Sequence, residues 1–334
     1  MTRANARSYQ HATPKGPLMN HLPRFHPRSV LVLVLATVLF TPTARAQVVL
    51  KPKLQPKTKR VYHAQSTSKQ ILTLAGMDIE TSSTQFVISE NTIGEREADG
   101  TLRLVETNKK LQQEITIPGV KVSFDSSNPD KKAPLPQLEP ILELLRIISK
   151  AQVTLVYDNS DQVVKVEGIN EVLKDLDPDL RKSVESQIGA DIILASWKNR
   201  DQRIPAKAVA VGDKWQHTTV MHLEAGQKIG VKRQYTYAGT VKQGKGNILH
   251  RITTKSLAAT LTQDPPEGSP TKITASKLKI AKGTGEILID LKNGVIVSES
   301  DTTQMKGTLT MEVNGMSLDG SLDLTIATQL KLKP

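Results

Sequence analysis

From Thr271 to Leu332 polar and apolar side chains alternate, with Asn314-Gly315 between two of the runs. Alternation with a period of two belongs to a half-buried strand. Asn-Gly is a strong signal for a type I′ hairpin turn, because both central residues of that turn need positive φ. With this pair at the turn, Val313 opposes Met316, Met311 opposes Leu318, Leu309 opposes Gly320, Gly307 opposes Leu322 and Met305 opposes Leu324. Every pair sets apolar or glycine partners on one face. A slip of one residue would put Leu322, Leu324 and Ile326 on the polar side. Asn293-Gly294 predicts the preceding hairpin in the same way.

The same reading organises the rest of the chain. Residues 47–60, rich in Lys, Pro and Gln, read as an extended segment, and the strand pattern then runs from Arg60 to Phe124 with turn signals at Asn91 to Gly94 and Asp99-Gly100. Residues 126–136 form a loop by composition, and 263–270 another, since Pro265-Pro266 cannot sit in a central ladder. Between the β blocks the period changes. Ile141, Leu144, Leu145 and Ile148 recur on one helical face, and Val153–Tyr157 and Val163–Val166 form a hairpin through Asp158-Asn159-Ser160-Asp161. Asp177 then caps a helix with Pro178 at its first position, along which Leu180, Val184, Ile188 and Ile192 recur up to Trp197. The expected fold is mainly β (α+β): large curved antiparallel sheets or an unclosed barrel of about ten to twelve strands with a central helical block. It occupies residues 47–334 as one β-rich domain, with a first β block (47–135), a helical block with a small hairpin (136–204) and a second β block (205–334).

Residues 1–46 read differently. Arg24, His26 and Arg28 precede an apolar run from Val30 to Phe40, and Ala44-Arg45-Ala46 follows. These are the three parts of a secretory signal peptide, with cleavage expected between Ala46 and Gln47. The apolar run is too short to span a bilayer, so no transmembrane helix is expected in the mature chain. Met1 and Met19 both fit as the start. The expected location is periplasmic or extracellular. The chain has no cysteine, which excludes disulfides, thiolate metal sites and cysteine nucleophiles. Its net charge is +12, and the leader holds six basic and no acidic side chains, leaving +6 after its removal. The remaining Lys and Arg are spread as on solvated strand faces, so no nucleic-acid partner is expected.

No motif carries a reaction. Gly239-Thr240-Val241-Lys242-Gln243-Gly244-Lys245-Gly246 lacks the hydroxyl residue and the following helix of a phosphate loop, and reads as a hairpin turn. Of His63, His217, His222 and His250, the middle two are five apart on a strand-like stretch and fall on opposite faces, without metal-ligand spacing. Asp158 to Asp161 lacks the downstream glutamate of a calcium loop and reads as an Asx-rich turn. Gly315-Met316-Ser317-Leu318-Asp319 misses the last glycine of a nucleophile elbow and lies in a hairpin. Tyr235 and Tyr237 share one strand face, as core rings do. No catalytic, cofactor-binding or metal-binding residue is therefore assigned, and no cofactor is implied.

At Pro205, Val209, Val211-Gly212-Asp213-Lys214-Trp215 and Gly285 to Gly294 the chain resembles an uncharacterised family of exported bacterial β-rich proteins, a domain of unknown function. The resemblance implies structural roles: Gly212-Asp213 a turn, Trp215 a core ring, Asn293-Gly294 a hairpin. A β-meander around a helical block is also similar in architecture to the unclosed barrels of periplasmic lipoprotein carriers, whose helices cover an apolar concavity. The functional expectation is an exported, non-enzymatic binding or carrier module for an apolar small molecule or lipid, with Ile141, Leu145 and Ile148 as pocket-lining residues. The alternatives are an envelope-associated interaction protein, and a hydrolase using Asp213, His217 or His222.

Overall fold

The computed structural model describes residues 46–333 apart from 175, 179–180, 182–183, 186–187, 223–226, 245 and 264–270. The first half of the chain forms β1 (Gln47–Val48), β2 (Thr58–Leu74), β3 (Met77–Arg96), β4 (Leu102–Ile117), β5 (Val120–Asp125), α1 (Glu139–Lys150), β6 (Gln152–Tyr157) and β7 (Val163–Glu167). Then come α2 (Ile169–Leu173), α3 (Ala190–Asp201), β8 (Val209–Ala210), β9 (Lys214–His222), β10 (Gln227–Gln243) and β11 (Asn247–Gln263). β12 (Thr271–Asp290), β13 (Val295–Val313) and β14 (Met316–Lys333) end the chain. Twelve strands make one sheet in the order β7-β6-β4-β3-β2-β14-β13-β12-β11-β10-β9, with β5 beside β4. Every pairing in it is antiparallel. β2 and β14 pair in its middle, and the sheet does not close: β7 and β9 are its edges.

The last hairpin has the register that the Asn-Gly pair predicts, from Val313 opposite Met316 to Met305 opposite Leu324. Asn314 and Gly315 have φ of 50° and 79°. Gly307 lies inside β13, where a Cβ would meet the Lys277 carbonyl oxygen of β12. The preceding hairpin exists, but its loop is longer than two residues: Asp290 pairs with Val295, and the Asp290 carboxylate accepts from the Asn293 amide at 3.0 Å. The turn at Asp99-Gly100 is present, whereas Asn91 to Gly94 lie within β3. Ser89, Asn91 and Ile93 are buried there on one face, so inward burial overrides their turn propensity. Two tight turns, Ala75-Gly76 and Pro118-Gly119, were not marked by the pattern.

The helices lie between residues 136 and 201, as the change of period predicts. α1 buries Leu142 and Leu145, with Ile141 and Ile148 in the same cluster against Leu111, Val122 and Phe124, while Leu144 and Ile147 face a second cluster. The long helix predicted from Asp177 to Trp197 is broken. Gly189 has ψ of 160°, and α3 starts at Ala190 and runs past Trp197 to Asp201. A Cβ on Gly189 would lie 2.5 Å from the Glu185 carbonyl oxygen. Leu180 lies outside the described residues.

α3 packs against both sheet edges, β7 and β9. Ile193, Leu194 and Trp197 sit on the cluster of Leu104, Leu155 and Val166, and Asn199 Nδ2 donates to the Thr218 carbonyl of β9 at 3.1 Å. The helix thus occupies the gap that closure would have filled and covers strand edges that would otherwise be free to pair.

The second half of the sheet curls tightly. Arg233 of β10 reaches across β11 and β12 to Asp301 of β13, with Nη2 to Oδ1 at 2.8 Å and Nε to Oδ2 at 3.1 Å. Gly283 and Gly285 of β12 lie beneath: a Cβ on Gly285 would be 2.5 Å from the Ser300 carbonyl oxygen and 2.6 Å from Thr254 Oγ1. Gly285→Ala is expected to destabilise the fold by about 1–3 kcal/mol through overpacking. Urea unfolding would show this as a lower midpoint with an unchanged slope.

Candidate functional site

The concave face is banded along the strands. On β10 the inward residues are Ile229, Val231, Arg233, Tyr235 and Tyr237; on β13 they are Glu299, Asp301, Thr303, Met305 and Leu309. At one end Ile229, Val231, Met305, Leu309, Leu322 and Leu324 form an apolar cluster; at the other, Tyr235, Tyr237, Ile252, Ile287 and Ile289 form a second, joined by Leu50. Between the clusters lies a polar belt. Ser256 Oγ and Thr303 Oγ1 are 2.9 Å apart, and Thr303 Oγ1 donates to Asp301 at 3.1 Å. Arg203, just after α3, makes a bidentate pair with Glu299 and donates from Nε to the Arg200 carbonyl at 3.0 Å. The Arg203 carbonyl accepts from Trp215 Nε1 at 2.7 Å, and the Trp215 ring stacks on Tyr235.

Burial opposes ionisation of Glu299, but the Arg203 guanidinium, with Arg200 and Arg233 beyond it, outweighs burial and holds the carboxyl below its usual range. Burial, reinforced by Arg203 and Arg233, pushes the His217 imidazole down, against a hydrogen bond with Asn199.

Beneath α3 the sheet leaves a lumen of about 540 Å³. α3 contributes Ile192, Ser196, Asn199 and Arg200 to its wall; β2 and β14 contribute Ala64, Ser66, Thr328 and Leu330; β9 contributes Thr219 and Met221. A smaller space of about 180 Å³, lined by Met221, Tyr235, Ile287 and Ile326, shares Arg203, Thr219, Met221, Glu299 and Thr328 with it. On the other side of the α3 C-terminus lies a cavity of about 160 Å³, walled by Tyr62, Tyr157 and Trp197 together with Lys51 and Leu54. Arg200 and Arg203 stand at the junction, lining both this cavity and the lumen. Glu106 and Asp201 face the small cavity, and burial raises both carboxyls above their usual range, Arg200 being the main opposing influence on Glu106 and Lys51 on Asp201.

The residues singled out from sequence fall into two groups. Ile141, Leu145 and Ile148 pack under α1 against β4 and β5, away from the lumen wall. Tyr235 and Tyr237 are core rings. Asp213 Oδ2 accepts from the Ala210 amide in the turn at Gly212, and the Tyr237 hydroxyl lies 2.8 Å from His250 Nδ1. Asp158 Oδ1 accepts from the Ser160 and Gln162 amides, as an Asx turn does. Of the near-match to a phosphate loop, Gly239 to Gln243 form the bulged end of β10 and Gly244 and Gly246 lie in the turn before β11, while Lys245 lies outside the described residues. Arg200, Arg203, Arg233, Glu299 and Asp301 were not marked. A signal for two of them was present, because extending the hairpin register back from Met305 puts Thr303, Asp301 and Glu299 on the inward face.

Residues 99–296, more than half of the chain, match the model of a Family of unknown function (DUF6263). The chain belongs to that family. The family model spans β4 to the start of β13, including α3 with Arg200 and Arg203. No curated protein matches the sequence. Among solved structures, a lipovitellin chain described for its lipid–protein interactions is 11% identical, with 84% of this chain covered and a TM-score of 0.41. The chain spans about a quarter of that protein (26%). Two others are OpdQ of Pseudomonas aeruginosa (7% identity, 83% and 99% of the two chains, TM-score 0.19) and the translocator domain of the autotransporter NalP of Neisseria meningitidis (6%, 84% and 90%, 0.19). At these TM-scores the likeness carries no functional argument. Among the described residues no helix is long and apolar enough to cross a membrane.

Glu299→Gln is expected to cost about 3–5 kcal/mol at neutral pH, because Arg203 is left as a buried charge without its partner. Since the folded-state pKa of Glu299 is depressed, its contribution is complete above the ordinary value of 4.5 and disappears as pH falls through the lower folded value. The difference between variant and wild type should shrink in acid, as denaturant unfolding at several pH values would show. Glu106 has the opposite sign. Its raised pKa makes ionisation above 4.5 a growing penalty on the folded state, so Glu106→Gln should gain stability relative to wild type as pH rises.

Proposed function

We propose that this protein is a non-enzymatic binding or carrier module that takes an amphipathic small molecule into the lumen beneath α3. The observation that carries this reading is the lumen itself, about 540 Å³ in volume, within the range of small-molecule sites. Its wall mixes Ala64, Ile192, Met221 and Leu330 with hydroxyl and amide side chains, which suits a ligand with an apolar body and a polar end better than one that is apolar throughout. α3 is held over it mainly by side-chain packing on the two sheet edges, so the cover is an element that a ligand can displace without breaking the sheet. Export is part of the proposal: a carrier outside the cytoplasm fits the leader, with Gln47 as the first residue of the mature chain and of β1.

Organic extraction of protein purified from its native host, followed by mass spectrometry, should yield one amphipathic species in stoichiometric amount. Ala64→Trp, which fills the lumen, should remove it while leaving the circular dichroism unchanged. Protein that carries nothing, and that binds no amphiphile when one is added, would overturn the reading. The intact mass of the exported protein should correspond to a chain beginning at Gln47.

A further inference from the structure

The cations around the lumen are not equivalent. Arg203 is committed to Glu299, and Arg233 to Asp301. Arg60, at the small cavity, donates to the carbonyls of Asn293 and Gly294. Arg200 is different. Its guanidinium lies 4.7 Å over the Trp197 ring and makes no hydrogen bond or ion pair among the described residues. A guanidinium carries five donors in a rigid fork, and those of Arg200 are committed to no protein acceptor among the described residues. Besides Arg60 and Arg203, the charged groups across the small cavity are Lys51, Glu106, Asp161 and Asp201; none of the carboxylates is within ion-pair distance of Arg200, and Asp161 pairs with Arg96. On the lumen side Glu299 is paired with Arg203, and Arg200, which lines both spaces, also faces Ser196, Thr219 and Thr328. Asn199, one residue before Arg200, lines the same wall, and its Nδ2 is held by the Thr218 carbonyl. The apolar side chains Met221, Leu330 and Ile326 lie further along the lumen and its smaller extension.

We infer that the lumen selects a single-chain amphiphile with an oxyanion head, a carboxylate or a phosphate monoester, and that Arg200 binds the head while the alkyl chain follows Met221, Leu330 and Ile326. This rests on the carrier reading above and names the ligand class for the same lumen. The stack on Trp197 holds the guanidinium plane in place, so its fork is partly preorganised and can meet two oxygens at once. An alcohol of the same chain length would keep the apolar contacts and forgo the charge-assisted pair.

Calorimetric titration with dodecanoate, dodecyl phosphate, dodecanol and dodecyltrimethylammonium, all below their aggregation concentrations, tests this directly. Dodecanoate or dodecyl phosphate should bind about tenfold to a hundredfold tighter than dodecanol, as a hydrogen-bonded charge predicts. The stronger of the two anions identifies the head. Arg200→Gln should remove that preference and leave dodecanol binding unchanged; Arg200→Lys, which keeps the charge without the fork, should restore part of it. Because Arg200 lies over Trp197 and offsets the burial of Glu106, Arg200→Gln should lose some stability, and circular dichroism at the titration temperature should show both variants folded. Ala64→Trp should abolish binding of every probe, which places the site in the lumen. Equal affinity for dodecanol and the anions, or an anion preference that survives in Arg200→Gln, would overturn the head-group assignment and leave the carrier reading standing. Tightest binding of dodecyltrimethylammonium would do the same. Failure of all four probes to bind would overturn both.

Discussion

A sheet with one apolar face and two free edges must bury the face and protect the edges, and the rest of this fold follows from how it does so. Eleven of its strands form a single path from β7 to β9, and no ladder joins the two ends. The half from β14 to β9 buries its face on itself. Gly283 and Gly285 let the sheet bend sharply enough for Arg233 to meet Asp301 over two intervening strands. The half from β2 to β7 curls less and uses helices: α1 over β4 and β5, α2 and α3 over β3, β4, β6 and β7. α3 then serves both ends, with its apolar side chains on one and Asn199 on the other.

That division of labour produces the lumen. Where the sheet curls on itself, apolar clusters fill the interior, and where helices cover it the interior is packed as well. Beneath α3 and past its C-terminus the surfaces part. Arg203 and Glu299 of the polar belt line the lumen, and Arg233, Asp301 and Thr303 line its smaller extension, so this part of the wall is fixed by directional bonds instead of by volume filling. Such networks hold their geometry only when nearly every member is satisfied. Arg200 stands beside this network without joining it, and Asn199 Oδ1, Thr219 Oγ1 and Thr254 Oγ1 at the same walls are buried without a hydrogen bond.

Much of the fold is legible in the residues themselves. The hairpin at Asn314-Gly315 was read to the residue because period-two alternation and the positive-φ demand of the turn agree. The small hairpin around Asp158 and the helical face of α1 were legible for similar reasons, each with a local signal at both ends. Errors fell where a tertiary demand overrode a local one. Asn91 has turn propensity but faces the interior from β3, and Gly189 interrupts an otherwise continuous helical period. The site was less legible. Glu299 and Asp301 lie on the inward face by simple extension of a register already known, yet charged residues in alternating strands look like solvent-facing ones until the curl is seen.

Local residue patterns are enough to set the strands, most of their hairpin neighbours, and the helices in the middle of the chain. These depend on side-chain period, turn dihedrals and capping, which act over a few residues. Only the tertiary structure decided that β2 and β14 meet in the middle of the sheet, that α3 lies across the two edges, and that Arg200 is left facing a lumen. The pairing of the two halves joins residues more than one hundred positions apart, such as Arg60 with Gly294 and Tyr62 with Leu332. No local pattern encodes them, because curvature is the sum of many small twists and a few missing side chains.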